Sequence, residues 1–217
     1  MTTPGAEQLV QIPVDAVLLE GVLALPEQDA GVVVFAHGSG SSRFSPRNTF
    51  VARVLREAGI GTLLLDLLTE EEDADYAMRF DIDLLTTRLL LTTHWLHTQP
   101  HTQRLLIGYF GASTGAAAAL KAAAAPGAAI GAVVSRGGRP DLAEAALAQV
   151  RCPTLLIVGG NDEVVLDLNH RAYARLQATK QLVVIPGATH LFEEPGALEE
   201  VARLATQWFT RYFHQKR

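Results

Sequence analysis

The sequence predicts an α/β fold with a mostly parallel sheet, because short apolar runs alternate with longer segments of helical periodicity. The apolar runs are rich in Val, Ile and Leu and are expected to form buried strands. They cover residues 31–36, 62–65, 105–110, 132–135, 154–158 and 182–185. Parallel neighbours need crossover connections, and the intervening segments are long enough to place helices on both faces of the sheet.

Six helices are expected beside these strands. They cover residues 48–58, 80–98, 114–125, 141–150, 169–177 and 195–213. The first of them is expected to end at Gly59, a residue suited to a helix C-terminus. Residues 14–25, ahead of the first buried run, are interpreted as an antiparallel edge strand or as a hairpin turned at Gly21.

The composition indicates a globular chain. Of its 217 residues, 48% are hydrophobic and 19% charged, and we expect one domain over residues 1–217. The net charge of -5 gives no general attraction to nucleic acid, and the apolar runs are too short to span a bilayer, so neither is an expected partner. Cys152 is the only cysteine and residues 1–5 lack a basic signal start, which favours a cytoplasmic location.

The segment that carries the strongest chemical signal is residues 111–115, which read GASTG. This G-x-S-x-G pattern stands between a predicted strand and a predicted helix, which is the context the motif requires. Small residues let strand and helix approach, and the sharp turn lifts the Ser113 hydroxyl above the sheet as a nucleophile. The structural alternative is a tight turn with an incidental serine.

An acid and a histidine follow the next strand ends. Asp162 comes after strand 154–158 and is the expected acid, with Glu163 and Asp167 as rivals, although Asp167 resembles a helix N-cap. His190 comes after strand 182–185. A serine, then an acid, then a histidine, each after a successive strand, predicts a catalytic triad, although an isolated loop histidine is usually a solvated side chain.

The loop after the first buried strand, residues 37–42, reads HGSGSS. Such small residues can bring a backbone N–H close to a substrate carbonyl, and we expect the Ser39 N–H to do so, with Gly40 as the nearest rival. The N–H of Thr114, directly after the nucleophile, is the second expected oxyanion donor. His37 is expected to hydrogen-bond within the loop and to shape it.

Taken together, these motifs resemble the α/β-hydrolase superfamily, and within it the small dienelactone hydrolase-like group. The resemblance implies an eight-stranded, mostly parallel sheet, a Ser-His-Asp triad and an oxyanion hole. Residues 135–152 leave room for one helix only, so little or no cap domain is expected. Dienelactone hydrolases proper use a cysteine nucleophile, whereas this chain has Ser113, and Cys152 stands at the start of a strand, on the wrong edge of the sheet.

The expected activity is hydrolysis of the carboxylic ester bond of a small-molecule substrate through an acyl-enzyme intermediate. The mechanism needs no metal and no cofactor. The alternatives are thioester hydrolysis or acyl transfer on the same triad, and a non-catalytic binding protein with the same fold.

Charged residues near other strand ends leave alternatives open. Arg136 is a candidate contact for a substrate carboxylate, held through two parallel hydrogen bonds. The structural alternative, which is favoured, is that Arg136 and Arg139 pair with surface acids, while Asp141 caps the next helix. The acidic residues 70–75 either line the entrance of the site or form a solvated loop, and the solvated loop is favoured.

Two further groups of side chains are interpreted structurally. His94 and His97 have helical spacing but no third ligand, so they are expected to be surface histidines rather than a metal pair. An aromatic stripe near the C-terminus is expected to pack the last helix against the sheet, and part of it is a candidate face for a homodimer. The stripe consists of Trp208, Phe209, Tyr212 and Phe213.

Overall fold

A computed structural model describes residues 6–27 and 31–214, in which eight strands form one sheet. In chain order the strands are β1 (Gln8–Val14), β2 (Val17–Ala24), β3 (Val32–Ala36), β4 (Gly61–Leu65), β5 (Ile107–Ala112), β6 (Ile130–Arg136), β7 (Thr154–Gly159) and β8 (Lys180–Ile185). The sheet order is β1-β2-β4-β3-β5-β6-β7-β8, with β3 to β8 parallel. The predicted α/β fold with a mostly parallel sheet is confirmed. Residues 1–5, which carry the signal-segment expectation, lie outside the described residues.

Helices cover both faces of the sheet. They are α1 (Pro46–Glu57), α2 (Glu70–Ala74), α3 (Ile82–Thr98), α4 (Thr114–Ala124), α5 (Glu163–Arg175) and α6 (Ala197–His214), with 3-10 segments at Met78–Phe80 and Pro140–Gln149. One buried apolar cluster joins α1 and α6 to one face, and a second joins α3, α4 and α5 to the other. Within the described residues, every helix is too short or too polar to cross a bilayer.

The N-terminal hairpin differs from its prediction. β1 and β2 pair antiparallel across a turn at Asp15, whose φ is 49°, and not at Gly21. Gly21 lies inside β2, where a Cβ would come within 2.9 Å of Leu63 Cδ1 on β4. The glycine therefore relieves a close approach between strands, which the sequence alone does not distinguish from a turn.

Helix limits agree with the predictions to within two residues except at α5, which begins at Glu163 rather than at residue 169. The extra turns place Asp167 inside the helix, where it pairs with Arg171 at 2.6 Å, so its interpretation as an N-cap was wrong. The segment predicted as helix 141–150 is a 3-10 segment with a kink at Glu144. Asp162 itself holds the N-cap position of α5.

Of the acidic segment, residues 70–74 form the short helix α2 and Asp75 is its C-cap, so the segment is not a loop, although Glu70, Glu71 and Asp75 are exposed to solvent as expected. Thr69 and Glu72 close a capping box around the first turn of α2. Glu72 also pairs with the buried Arg88 of α3 at 2.7 Å, which ties the segment to the fold.

The aromatic stripe of α6 packs against the sheet. Phe209 and Phe213 are fully buried, and a Cβ at Gly108 of β5 would come within 2.7 Å of the Phe209 ring. Because Gly108 has no side chain, the two rings pack directly against the backbone of β5. The interpretation of these rings as a packing stripe is confirmed.

The approach of α4 to β3 gives a stability prediction. A Cβ at Gly115 would lie 2.2 Å from the Ala36 carbonyl oxygen and 2.4 Å from that of His37. Gly115→Ala should therefore lower the free energy of unfolding by about 3 kcal/mol, because backbone atoms cannot give way as a side chain can. Urea unfolding measures this loss.

The matched control is Gly127→Ala, since Gly127 has a φ of 80° but open space around its Cβ position. Only the backbone penalty of about 1 kcal/mol is expected there. Equal losses in the two variants would show that the contact between α4 and β3 is not the constraint.

Candidate active site

Ser113 stands on a strained turn between β5 and α4. Its backbone has φ 50° and ψ -121°, a region that L-residues rarely occupy and that costs about 1–3 kcal/mol. A Cβ at Gly111 would lie 2.4 Å from Ala116 Cα, so the turn depends on small residues, as the motif predicted. Ser113 also holds the N-cap position of α4, yet its side chain makes no capping hydrogen bond. The hydroxyl is therefore left outside the helix.

His190 and Asp162 are joined by a hydrogen bond. Nδ1 of His190 lies 2.7 Å from Oδ2 of Asp162, and since an ionised carboxylate only accepts, the imidazole N–H donates. The Asp162 side chain is 15% exposed and that of His190 is 39% exposed. In the neutral imidazole this bond places the proton on Nδ1, so that Nε2 is the nitrogen able to accept one.

One cavity of about 220 Å³ brings the serine and the histidine together. Its lining includes Ser39, Asn48, Ser113, Arg136 and His190. Among the described residues, none forms a hydrogen bond with the Ser113 hydroxyl, so the link from Asp162 to His190 is made and the link from His190 to Ser113 is not. Hydrogen bonds of this kind are often long in an empty site and shorten when substrate binds.

The rival acids stand apart from the histidine. Glu163 and Asp167 are both exposed on α5, and neither contacts His190. Asp162 is the acid that faces the imidazole because it lies in the turn directly after β7, whereas the helix has already begun at Glu163.

The loop after β3 presents its backbone to the same cavity. The Ser39 N–H, the expected oxyanion donor, donates to the Thr114 hydroxyl at 2.9 Å. Within the described part of the chain, the N–H groups of Gly40 and Thr114 have no hydrogen-bond partner. The loop is thus tied to the first residue of α4, and the Ser39 N–H must leave the Thr114 hydroxyl to reach a ligand.

His37 shapes this loop from beneath. Its Nδ1–H donates to the Gly38 carbonyl at 2.9 Å, and its Nε2 accepts from the Leu67 N–H at 3.1 Å. Both bonds require the neutral imidazole, and burial lowers the pKa of His37 below its ordinary value. The bond within the loop was predicted, whereas the bond to the segment after β4 was not.

Arg136 is buried at the end of β6 and faces the cavity. Its guanidinium donates to Asn48 Oδ1 at 3.3 Å and lies 5.7 Å from the Phe192 ring centroid. Its Nε has no hydrogen-bond partner among the described residues, and none of their carboxylates pairs with it. Pairing with a surface acid was therefore wrong for Arg136 and right for Arg139, which pairs with Asp141 at 2.8 Å.

A second arginine reinforces the positive charge of the cavity. Arg47 of α1 lines it and pairs with Glu193 at 3.0 Å. Burial and the neighbouring charge of Arg47 lower the pKa of Arg136 to about 10, so it stays charged near neutral pH. Arg47 and Asn48 were not predicted as site residues, although they stand a few residues after the loop that was predicted to hold the oxyanion donor.

Other candidate residues lie away from the cavity. The acidic segment, through Glu70 and Asp73, lines a different cavity of about 510 Å³. His94 and His97 are exposed on α3, and in the described ranges no three His, Cys, Asp or Glu side chains gather as a metal site would need. Cys152 is buried before β7, at the opposite edge of the sheet from Ser113.

Comparison with known proteins identifies the family of the chain. The profile of the dienelactone hydrolase family matches residues 19–216. This chain belongs to the dienelactone hydrolase family. Its fold is that of the α/β-hydrolase superfamily, as its motifs indicated.

Solved structures support the family and the fold. A dienelactone hydrolase from Anabaena variabilis ATCC 29413 is 55% identical and superimposes with a TM-score of 0.94, over 97% of this chain and 99% of that chain. Est1E from Butyrivibrio proteoclasticus shares the fold at 17% identity, with a TM-score of 0.80 over 95% of this chain and 99% of its own.

A longer relative carries a different name. A Mycobacterium tuberculosis (strain H37Rv) protein named "Putative phosphoribosyl transferase" is 60% identical over 206 residues. The match covers 95% of this chain but 46% of the relative, so the chain spans about half the length of that protein.

The buried His37 gives a pH prediction. Because burial lowers its pKa from the ordinary value of 6.5, the unfolded chain binds a proton over a range in which the folded chain does not. The contribution of His37 to stability is present above pH 6.5 and is lost as the pH falls through the lowered pKa. Urea unfolding at a series of pH values should show this decline.

His37→Gln should flatten that decline, because the replacement does not titrate. His94→Gln, at an exposed position, is the control and should keep the wild-type slope. Identical slopes in wild type and His37→Gln would assign the acid sensitivity to other groups.

Proposed function

We propose that this protein is a serine hydrolase that cleaves carboxylic esters of small substrates through an acyl-enzyme intermediate. The observation that carries the proposal is the 2.7 Å hydrogen bond between Asp162 and His190 beside the cavity that Ser113 lines. A strained serine whose hydroxyl caps no helix, next to a histidine oriented by a carboxylate, has the parts that acyl transfer requires.

In the first step the Ser113 oxygen attacks the ester carbonyl carbon while Nε2 of His190 takes the hydroxyl proton. Asp162 holds the imidazole in the required tautomer and stabilises the imidazolium that forms. The tetrahedral intermediate then expels the alcohol, which receives the proton from His190. Water, deprotonated by His190, attacks the acyl-enzyme and releases the carboxylic acid.

The negative charge that develops on the carbonyl oxygen needs backbone donors. We assign the N–H groups of Thr114 and Ser39 to this role, with the substrate oxygen replacing the Thr114 hydroxyl as the acceptor for Ser39. Each such donor is worth about 2.7–4 kcal/mol of barrier. The Gly40 N–H, which has no partner in the described structure, is the alternative to Ser39.

The cavity favours small substrates that carry a negative charge. Its volume is about 220 Å³, which suits a small acyl group, and Arg136, which no carboxylate of the described residues pairs with, adds a positive charge to its lining. The Nε of Arg136 is buried without a partner, and a substrate carboxylate would satisfy a guanidinium that no acid of the described chain pairs with.

The transferase name of the longer relative is not extended to this chain. The match covers 46% of that protein, so its activity can reside in the part without a counterpart here. The site described above supplies a nucleophile and a proton acceptor, which suit acyl chemistry.

Removing the nucleophile tests the proposal. Ser113→Ala should lower the hydrolysis of p-nitrophenyl acetate and butyrate by about 10³-fold or more, since no other group can form the acyl-enzyme. Ser42→Ala is the matched control, because that hydroxyl only accepts from the Phe44 N–H and should leave the rate unchanged. Equal rates in wild type and Ser113→Ala would remove the esterase proposal in favour of a binding role.

Covalent labelling locates the reactive residue. A fluorophosphonate should modify Ser113, as found by peptide mass mapping, and modification elsewhere would contradict the assignment. Adding a competing alcohol or thiol during turnover distinguishes hydrolysis from acyl transfer through the products formed.

The charge of the cavity gives a specificity prediction. Arg136→Gln should raise the KM for mono-p-nitrophenyl succinate by about 10- to 100-fold, because a hydrogen bond to a charged group is lost, and should leave the KM for neutral p-nitrophenyl butyrate within a few fold. Arg139→Gln, in the same loop but paired with Asp141, is the control. Equal effects on both esters would show that Arg136 has a structural role only.

A further inference from the structure

The backbone of Ser113 is held on both sides by one loop, residues 136–139, which we name the β6 loop. The Ser113 N–H donates to the Arg136 carbonyl at 3.3 Å, and the Ser113 carbonyl accepts from the Arg139 N–H at 3.0 Å. A turn with φ 50° persists only where its surroundings determine it, so the β6 loop is part of what holds the nucleophile in place.

The same loop packs against the histidine. Gly137 has a φ of 51°, and a Cβ there would lie 3.2 Å from the His190 carbonyl oxygen and 3.5 Å from Nδ1 of its ring. The Gly137 N–H also donates to the Ile157 carbonyl of β7 at 2.8 Å. A displacement of the β6 loop would therefore change the position of Ser113 relative to His190.

Asn169 anchors this loop to the helix that follows the acid. It is fully buried on α5, and its Nδ2 donates to the Gly138 carbonyl at 3.0 Å and to the Val165 carbonyl within the helix at 2.8 Å. Since α5 begins directly after Asp162, the bond to Gly138 connects the helix behind the acid with the loop that holds the serine and contacts the histidine.

Burial of this amide is not explained by packing alone. Oδ1 of Asn169 has no hydrogen-bond partner among the described residues, and neither has the buried Ser135 hydroxyl, which stands beside Gly138. A fully buried amide with an unsatisfied oxygen is unfavourable compared with an apolar side chain. What the amide adds, beyond a bond within its own helix, is a side-chain hydrogen bond from α5 to the β6 loop.

We infer that Asn169 is a positioning residue that aligns the Ser113 hydroxyl with His190 by fixing the β6 loop. The inference rests on the proposed function, because it concerns the geometry of the same triad. Asn169 does not line the cavity, so its loss should change the rate of the chemical step and not substrate binding. Misalignment by a fraction of an ångström is sufficient for a large loss of rate.

The test is Asn169→Ala compared with Leu96→Ala. Leu96 is fully buried on α3, and in the described structure its hydrogen bonds do not involve the β6 loop, so its truncation lowers stability without removing the bond between Asn169 and Gly138. Asn169→Ala should lower kcat for p-nitrophenyl butyrate by about 10- to 100-fold with KM within about twofold, and should slow fluorophosphonate labelling equally. Leu96→Ala should keep the wild-type kcat at temperatures where it is folded.

Two additional variants complete the design. Ser135→Ala removes an unpaired hydroxyl beside the bond between Asn169 and Gly138 and should leave kcat unchanged. If Asn169→Ala does not fold, Asn169→Ser takes its place, because its side chain is too short to reach the Gly138 carbonyl but keeps a polar group. The inference is overturned if the Asn169 variant retains the kcat of Leu96→Ala, or if KM rises instead.

Amide hydrogen exchange separates this inference from the proposed function. The Arg139 N–H, which donates to Ser113, should exchange faster in Asn169→Ala than in Leu96→Ala, whether or not an ester is turned over. If the wild type shows no Ser113-dependent hydrolysis, the proposed function is wrong. If the Arg139 N–H exchanges at the same rate in Asn169→Ala as in Leu96→Ala, Asn169 does not hold the β6 loop.

Discussion

The constraint on which the site depends is the close approach of the α4 N-terminus to β3. It is possible only because residue 115 has no side chain, since a Cβ there would stand 2.2 Å from the Ala36 carbonyl oxygen. This approach forces the chain to reverse sharply at Ser113 and holds it at φ 50°. The loop of residues 37–42 begins directly after Ala36, so the same contact sets the distance between Ser113 and the backbone that is proposed to bind the substrate oxygen.

The candidate cavity is lined by positive charges, although the chain as a whole is negatively charged. The protein carries a net charge of -5, yet its candidate cavity is lined by Arg47 and the buried Arg136. Among the described residues, the buried guanidinium has the Asn48 amide oxygen as its hydrogen-bond acceptor and no carboxylate, which is unfavourable, and a sequence selected for stability alone would place a neutral side chain there. The fall in the pKa of Arg136 to about 10 reflects that desolvation. An anionic ligand would offset this desolvation cost, and the buried charge of Arg136 therefore favours a role in binding such a ligand.

The sequence was sufficient to predict which residues stand at the strand ends, but not which contacts these residues make with one another. Periodicity located the strand, turn and helix around Ser113, and chain order placed Asp162 and His190 on the same edge, because parallel strands end together. It did not predict that α5 begins at Glu163, since the residues that follow suit either a loop or a helix. It also could not predict that the Ser39 N–H is engaged by Thr114, because that bond joins residues 75 positions apart.

Ser113 and Asp162 stand at helix N-caps but do not cap their helices with their side chains. Ser and Asp are among the most favourable N-caps, and Ser113 and Asp162 hold the N-cap positions of α4 and α5, yet neither side chain caps its helix. A missing cap costs about 0.5–2 kcal/mol, so both helices start less stably than their sequences allow. Elsewhere Ser45, Thr69 and Asp81 do cap their helices. Among the described helices with a Ser, Thr or Asp at the N-cap, the two without a side-chain cap are those that begin after Ser113 and Asp162. There the Asp162 carboxylate faces His190 instead, and the Ser113 hydroxyl is the proposed nucleophile.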